Sequence, residues 1–257
     1  MSSELVSREG LSWVCFSDWG VVHGTSTRLG GRSQAPYDGL NLGKMSGDDL
    51  ELVAANRELF GRALGLPIWQ NLSMSHGVEV VHIQDPAMAA TTWPGDACIT
   101  AHPEVSLSLT TADCVPIFFW DPEARAVGLA HAGWRGTLND IAGATVRAMQ
   151  EHLQAKPERL RVALGPAIGP CCFEVGPEVI EEFSQVYGPA DFIAERHIDL
   201  HAANRYWLEK AGVRHMEACD WCTSCRADLF YSYRRDGGKT GRLLSVIGLA
   251  ASQQIDQ

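Results

Sequence analysis

Residues 110–136 constrain this chain more than any other stretch. They read T-T-A-D-C-V-P-I-F-F-W-D-P-E-A-R-A-V-G-L-A-H-A-G-W-R-G. Val115 to Trp120 is a run of β-branched and aromatic residues, and Ala126 to Ala130 is a second short apolar run. Between them Asp121-Pro122-Glu123-Ala124 has turn chemistry, with Asp first and Pro second. The segment therefore predicts a β-hairpin. With the turn centred between Pro122 and Glu123, Asp121 opposes Ala124, and pairing carried outward sets Cys114 opposite His131. Directly opposed residues share a face with Cβ atoms about 4.5–5.5 Å apart. A thiol and an imidazole at that separation can hold one metal ion. The competing reading is a core cysteine beside a hydrogen-bonded histidine. A bulged or longer turn would slip the register by about one residue.

The remaining pattern alternates strands and helices. Leu11 to His23 offers strand-like runs broken by Gly20. Asp48 and Asp49 form an N-terminal cap signal before the stripe Leu50, Val53, Phe60 and Leu64, which Gly65 ends. Glu79–Ile83 and Val105–Leu109 read as strands. Ala132–Gly136 reads as a loop, followed by a helix carrying Leu138, Ile141, Ala142, Val146, Met149 and Leu153. Leu160–Leu164 is a strand, Pro177 opens a helix running to about Tyr187, and Asp199 caps another that Gly212 ends. Leu229–Tyr233 and Leu243–Leu249 read as final strands. No repeat or linker interrupts this order, so one domain over residues 1–257 is expected. The fold class is α+β, with mixed β-sheets and outer helices.

Composition bounds the function. A net charge of −10 with no basic block argues against nucleic acid or an anionic membrane as partner. No apolar run approaches the ~20 residues a membrane span needs, and Met1–Leu5 lacks the start of a secretory signal. Eight cysteines without such a signal point to reduced thiols in the cytoplasm.

A catalytic zinc typically has three protein ligands and one open position. Cys114 and His131 supply two, and His76, in Ser75-His76-Gly77 at the mouth of a strand, is the best third. Arg28, Arg135, Arg234 and Arg242 are cations in or beside Gly-rich loops, where guanidinium and backbone can both approach an anion. Cys219, Cys222 and Cys225, preceded by His215, have metal-like spacing. Their segment, however, is expected to run into a strand, so reduced cysteines without metal are the favoured account. Cys171 and Cys172 are adjacent, and adjacent side chains in extended chain point opposite ways. His102-Pro103-Glu104 mimics half of a deaminase signature, but Trp221 stands where the P-C-x-x-C half needs proline. Nine histidines with no H-x-H pair leave little for a laccase copper cluster.

Several segments together resemble the YfiH family, also called the multicopper polyphenol oxidase or laccase-domain family. They are Thr27–Gly31, Leu40–Gly43, Ser75–Gly77, the hairpin with Ala130–Gly136, Gly165–Glu174, Phe230–Asp236 and Thr240–Arg242. The resemblance runs over nearly the whole chain. It implies zinc, with copper as the alternative ion, held by His76, Cys114 and His131. It also implies phosphorolysis of adenosine, inosine and methylthioadenosine, with adenosine deamination alongside. The partners are then a small-molecule nucleoside and phosphate. The expected catalytic residues are Cys114, His131, Arg28 and Asp113, and the expected substrate contacts are Asn41, Arg135, Cys172 and Arg242. Met74 departs from the family, which usually has Gln there. Rival functions are hydrolytic editing of a cell-wall precursor, copper-dependent polyphenol oxidation and a non-catalytic zinc scaffold.

Overall fold

The computed structural model describes residues 3–69 and 72–249. β1 (Ser3–Arg8), β2 (Leu11–Phe16) and β3 (Val22–Ser26) form an antiparallel meander. α1 (Leu50–Leu64) starts where the Asp49 carboxylate accepts the Glu51 N–H, a cap worth about 1 kcal/mol. It stops at Gly65, whose φ of 71° suits a residue without Cβ. Val53, Phe60 and Leu64 turn inward as their spacing predicts, whereas Leu50 is exposed. β4 (Leu72–Ser73), β5 (Val80–His82), α2 (Pro86–Ala89), β6 (Trp93–Pro94), β7 (Ala97–Thr100) and β8 (Ser106–Thr111) follow. The hairpin is β9 (Val115–Asp121) and β10 (Ala126–Ala132). After it come α3 (Trp134–Leu138), α4 (Ile141–Leu153), β11 (Arg161–Leu164) and α5 (Pro177–Tyr187). The last elements are β12 (Ile193–Ala194), β13 (His197–Ile198), α6 (Leu200–Lys210), β14 (His215–Ala218) and β15 (Leu243–Gly248).

Two main sheets stack. One is antiparallel, in the order β1-β2-β3-β15-β8, and the other is mixed, in the order β14-β11-β9-β10-β7-β5. Val14, Leu107, Phe118, Leu129 and Ile247 fill the space between them. The far face of the mixed sheet lies under α4, α5 and α6, through Phe119, Val146, Phe183 and Leu208. The far face of the antiparallel sheet meets α1 through Trp13, Leu42, Phe60 and Val246. With both faces covered, every residue of β9 and β10 is buried, which accounts for continuous apolar runs rather than alternation. The α+β expectation of mixed sheets with outer helices describes this architecture. No helix among the described residues is long and apolar enough to cross a membrane.

Three expectations need correction. First, Asp121 pairs with Ala126, and His131 pairs with Pro116 rather than Cys114. The turn is longer than two residues because the Asp121 carboxylate accepts the N–H groups of Glu123 and Ala124, and Arg125 takes φ 49°. The slip is two residues, so every side chain keeps its face. Second, Ala132–Gly136 is not a plain loop, since Trp134 begins α3. Third, residues 229–233 form turns, in which Leu229 and Phe230 both donate to the Arg226 carbonyl. Their apolar side chains enter the core from irregular backbone.

Candidate metal centre

The chain leaves the antiparallel sheet at Thr111 and enters the mixed sheet at Val115. The three residues between carry Asp113, at φ 93°, and Cys114. This passage stands beside the end of β10, which bears His131, and beside the loop Ser75–Gly77, where His76 takes φ 63°. One donor atom each from His76, Cys114 and His131 lie within 4.8 Å of one another. The two imidazole centroids are 4.9 Å apart.

Asp96, just after Gly95 at the entry to β7, organises the group, and the sequence reading did not single it out. Its Oδ1 accepts from His131 Nδ1 and from the His76 backbone N–H, both at 2.9 Å. Its Oδ2 accepts the N–H groups of Ser75 at 3.0 Å and Gly77 at 2.8 Å. Burial raises the Asp96 carboxyl, but the His131, Gly77 and Ser75 donors outweigh it and bring it to about 2. An ionised Asp96 fixes the His131 proton on Nδ1 and leaves Nε2 to face the other donors. Burial pushes the Cys114 thiol up, yet His131 and His76 prevail and its net shift is downward. Burial likewise opposes the His131 imidazolium, but Cys114 and Asp96 prevail and its net shift is upward. The cluster thus favours a thiolate. One thiolate and two imidazoles, backed by a carboxylate on the second nitrogen of one ring, suit a zinc-type ion with an open position.

The cluster opens into a cavity of about 930 Å³. Its walls include Met74, Ile168, Phe173 and Tyr233 on the apolar side, with Asp113, Arg234 and Arg242 among the polar groups. Met74 thus contributes an apolar wall. Asp113 is held by Thr223 Oγ1 at 2.7 Å and accepts the Arg234 N–H at 2.7 Å. Arg234 donates to the Glu174 carbonyl at 2.6 Å and stacks over Phe173. Arg242 lies over Tyr233, and burial lowers its guanidinium from the usual range. Lys44 joins the rim without an ion-pair partner among the described residues. It follows the expected Leu40–Gly43 motif directly, but nothing in its own sequence context marked it.

Four expected site residues lie off the cavity wall. Arg28 is paired with Asp38 at 2.8 Å and sits over Tyr231. Arg135 is exposed on α3, stacked on Trp134. Asn41 is fully buried. Its amide donates to Ser46 and Asp48 and accepts the N–H groups of Gly43 and Arg242, which ties it to the cavity-lining Gly43 and Arg242. Cys172 turns towards other cysteines, with its Sγ 3.5 Å from that of Cys225.

The family model described as multi-copper polyphenol oxidoreductase laccase matches residues 22–250. A protein of Deinococcus radiodurans named purine nucleoside phosphorylase is 45% identical over 246 residues, covering 93% of this chain and 94% of the relative. Purine nucleoside phosphorylase YfiH of Escherichia coli is 38% identical over 238 residues, covering 90% and 94%. The crystal structure of YlmD from Geobacillus stearothermophilus superposes with a TM-score of 0.88 at 36% identity, covering 96% of this chain and 99% of that one.

Proposed function

The chain belongs to the multi-copper polyphenol oxidoreductase laccase family, and on that footing we propose that it is a zinc-dependent purine nucleoside phosphorylase. The observation that carries this reading is the convergence of His76, Cys114 and His131 on the wall of the large cavity. The names of its relatives support the same substrate class. Adenosine, inosine and methylthioadenosine are the proposed nucleosides, and deamination of adenosine is the proposed side activity. Eight free thiols support a reducing compartment, the cytoplasm.

In the reaction a phosphate oxygen attacks C1′ of the ribose, the bond from C1′ to the base breaks, and the purine leaves with a proton. Zinc held by His76, Cys114 and His131 would supply Lewis-acid polarisation at this centre. The chain's own residues do the rest. Arg234, Arg242 and Lys44 supply positive charge for the phosphate. Asp113 fixes the backbone of Arg234 and so the arm it carries. Asn41 fixes Arg242 in the same way. Phe173, Ile168 and Met74 give a purine an apolar surface that also displaces water.

The test is incubation of zinc-loaded protein with adenosine, with and without phosphate, followed by chromatography. Adenine and ribose-1-phosphate formed only with phosphate support the reading. Inosine formed regardless of phosphate would leave deamination as the main activity. No turnover of any nucleoside would sink it in favour of a scaffold.

A further inference from the structure

Cys171, Cys172, Cys222 and Cys225 bring one sulfur each to within 4.8 Å of one another, and none of the four lines the cavity. Cys219, the first cysteine of the C-x-x-C-x-x-C run, is not among them and lies buried in the core between the sheets. We propose that these four cysteines form a second metal site, a structural zinc ion in a tetrahedral all-thiolate shell.

Four observations converge on it. The distances fit: Cys225 Sγ lies 3.6 Å from Cys171 Sγ and 3.5 Å from Cys172 Sγ. A tetrahedron of Zn–S bonds near 2.3 Å has edges of roughly 3.8 Å, so an ion fits with little movement. A disulfide would need about 2.05 Å, with geometry that two equidistant partners do not single out.

The backbone is arranged for it. Cys171 and Cys172 are adjacent, but they sit in a turn in which the N–H groups of Cys172 and Phe173 both donate to the Gly169 carbonyl. That turn removes the extended-chain alternation that would send the two sulfurs apart. Thr223 N–H donates to the Ala167 carbonyl at 2.9 Å, which docks the Cys222-x-x-Cys225 loop against the first pair without help from the thiols.

Charge is prepared as well. Gly169 N–H donates to Cys222 Sγ at 3.2 Å. A C-x-x-C loop whose first sulfur collects backbone N–H groups is one half of a structural zinc shell. Four thiols this close cannot all ionise without a cation, and binding would release their protons.

The shell is closed. Four protein sulfurs leave no open position, in contrast to the three donors at the cavity, so the role is structural. The ion would clamp residues 169–173 to 222–225. Those segments hold Phe173 and, through Thr223, Asp113.

The experiment is zinc analysis of protein purified without added metal, alongside Cys225→Ser, Cys172→Ser and the pair His76→Ala with His131→Ala. The expected contents are about two ions per chain for the natural protein and about one for each variant. Cadmium-loaded Cys225→Ser should show a weaker thiolate-to-cadmium absorption band than cadmium-loaded natural protein. Should a cysteine variant fail to fold, thiol-reagent titration of the natural protein keeps the question open to refutation. Five cysteines, Cys114 and these four, should react only after zinc is withdrawn, and protection of one thiol alone would overturn the site. Equal reactivity before and after withdrawal, a zinc content unchanged by Cys225→Ser, or an intact mass short of two hydrogens from a disulfide would each overturn the site. Loss of zinc from the histidine variant alone bears on the cavity centre and not on this one.

Discussion

Asp96 grips His131 at two points: its carboxylate accepts from Nδ1 at 2.9 Å and its carbonyl accepts the His131 backbone N–H at 2.7 Å. The same carboxylate takes the backbone N–H of His76. Two proposed metal ligands from distant parts of the chain are thus set by one acid. In Asp96→Asn, an amide nitrogen would face N–H groups that now find an acceptor. We expect zinc affinity at the cavity centre to fall roughly 10–100-fold, read by competition with a chromophoric chelator. Unchanged affinity would remove Asp96 from the account.

Gly133 is the second tight spot. Its φ of −73° is ordinary, so an alanine there meets no backbone strain. The added Cβ would instead lie 2.8 Å from His76 Cδ2 and 3.1 Å from Cys114 Sγ. Gly133→Ala should cost ~1–3 kcal/mol of stability by overpacking and reduce turnover by about 100-fold through misplaced donors. Denaturant titration and steady-state assay together separate the two effects.

His23 predicts acid sensitivity away from the cavity. Its Nε2 accepts the Phe16 N–H at 3.0 Å and its Nδ1 lies 3.0 Å from the Val21 carbonyl, an arrangement that needs the neutral ring. Burial, the largest cause, lowers it to about 4. Above about pH 6.5 neither folded nor unfolded chain is protonated there, and the contribution is fully present. As pH falls towards 4 the unfolded chain gains a proton that the folded one refuses. Stability from this group then drops by about 3 kcal/mol. Urea midpoints at about pH 7 and about pH 4.5 should differ less in His23→Gln than in the natural protein.

Two arginines that looked alike in sequence should behave differently. Arg242 lines the cavity and Arg135 lies on the outside of α3. Arg242→Ala should raise the KM for phosphate roughly tenfold or more, the scale of a lost charge-assisted contact. Arg135→Ala should leave phosphate kinetics within about twofold, as for an exposed charge. The reverse ranking in phosphate titrations would relocate the anion site.

The helices were legible because their signals are local. Asp49 and Asp199 each cap a helix with their own side chain, and Gly65 closes one. The hairpin was legible too, but its register was not, because the Asp121 side chain restructured a turn that residue types alone made look shorter. Leu229–Phe230 looked like a strand because burial by a turn and burial by a strand leave the same apolar signature. His76, Cys114 and His131 were singled out from sequence and lie together. Asp96 escaped because a carboxylate after glycine reads as turn chemistry until the backbone donors it collects are known. The four sulfurs escaped for a related reason: the turn at Gly169 reverses the direction expected of adjacent side chains.

Cys114 rides on a passage from one sheet to the other, whereas Lys44 and Met45 project from a loop that precedes α1. On the proposed function, ligand preference and retention of the ion are therefore written in separate stretches of chain. Substitutions at Lys44 or Met45 should then retune which nucleoside enters while the Cys114 sulfur, anchored between the two sheets, stays where it is.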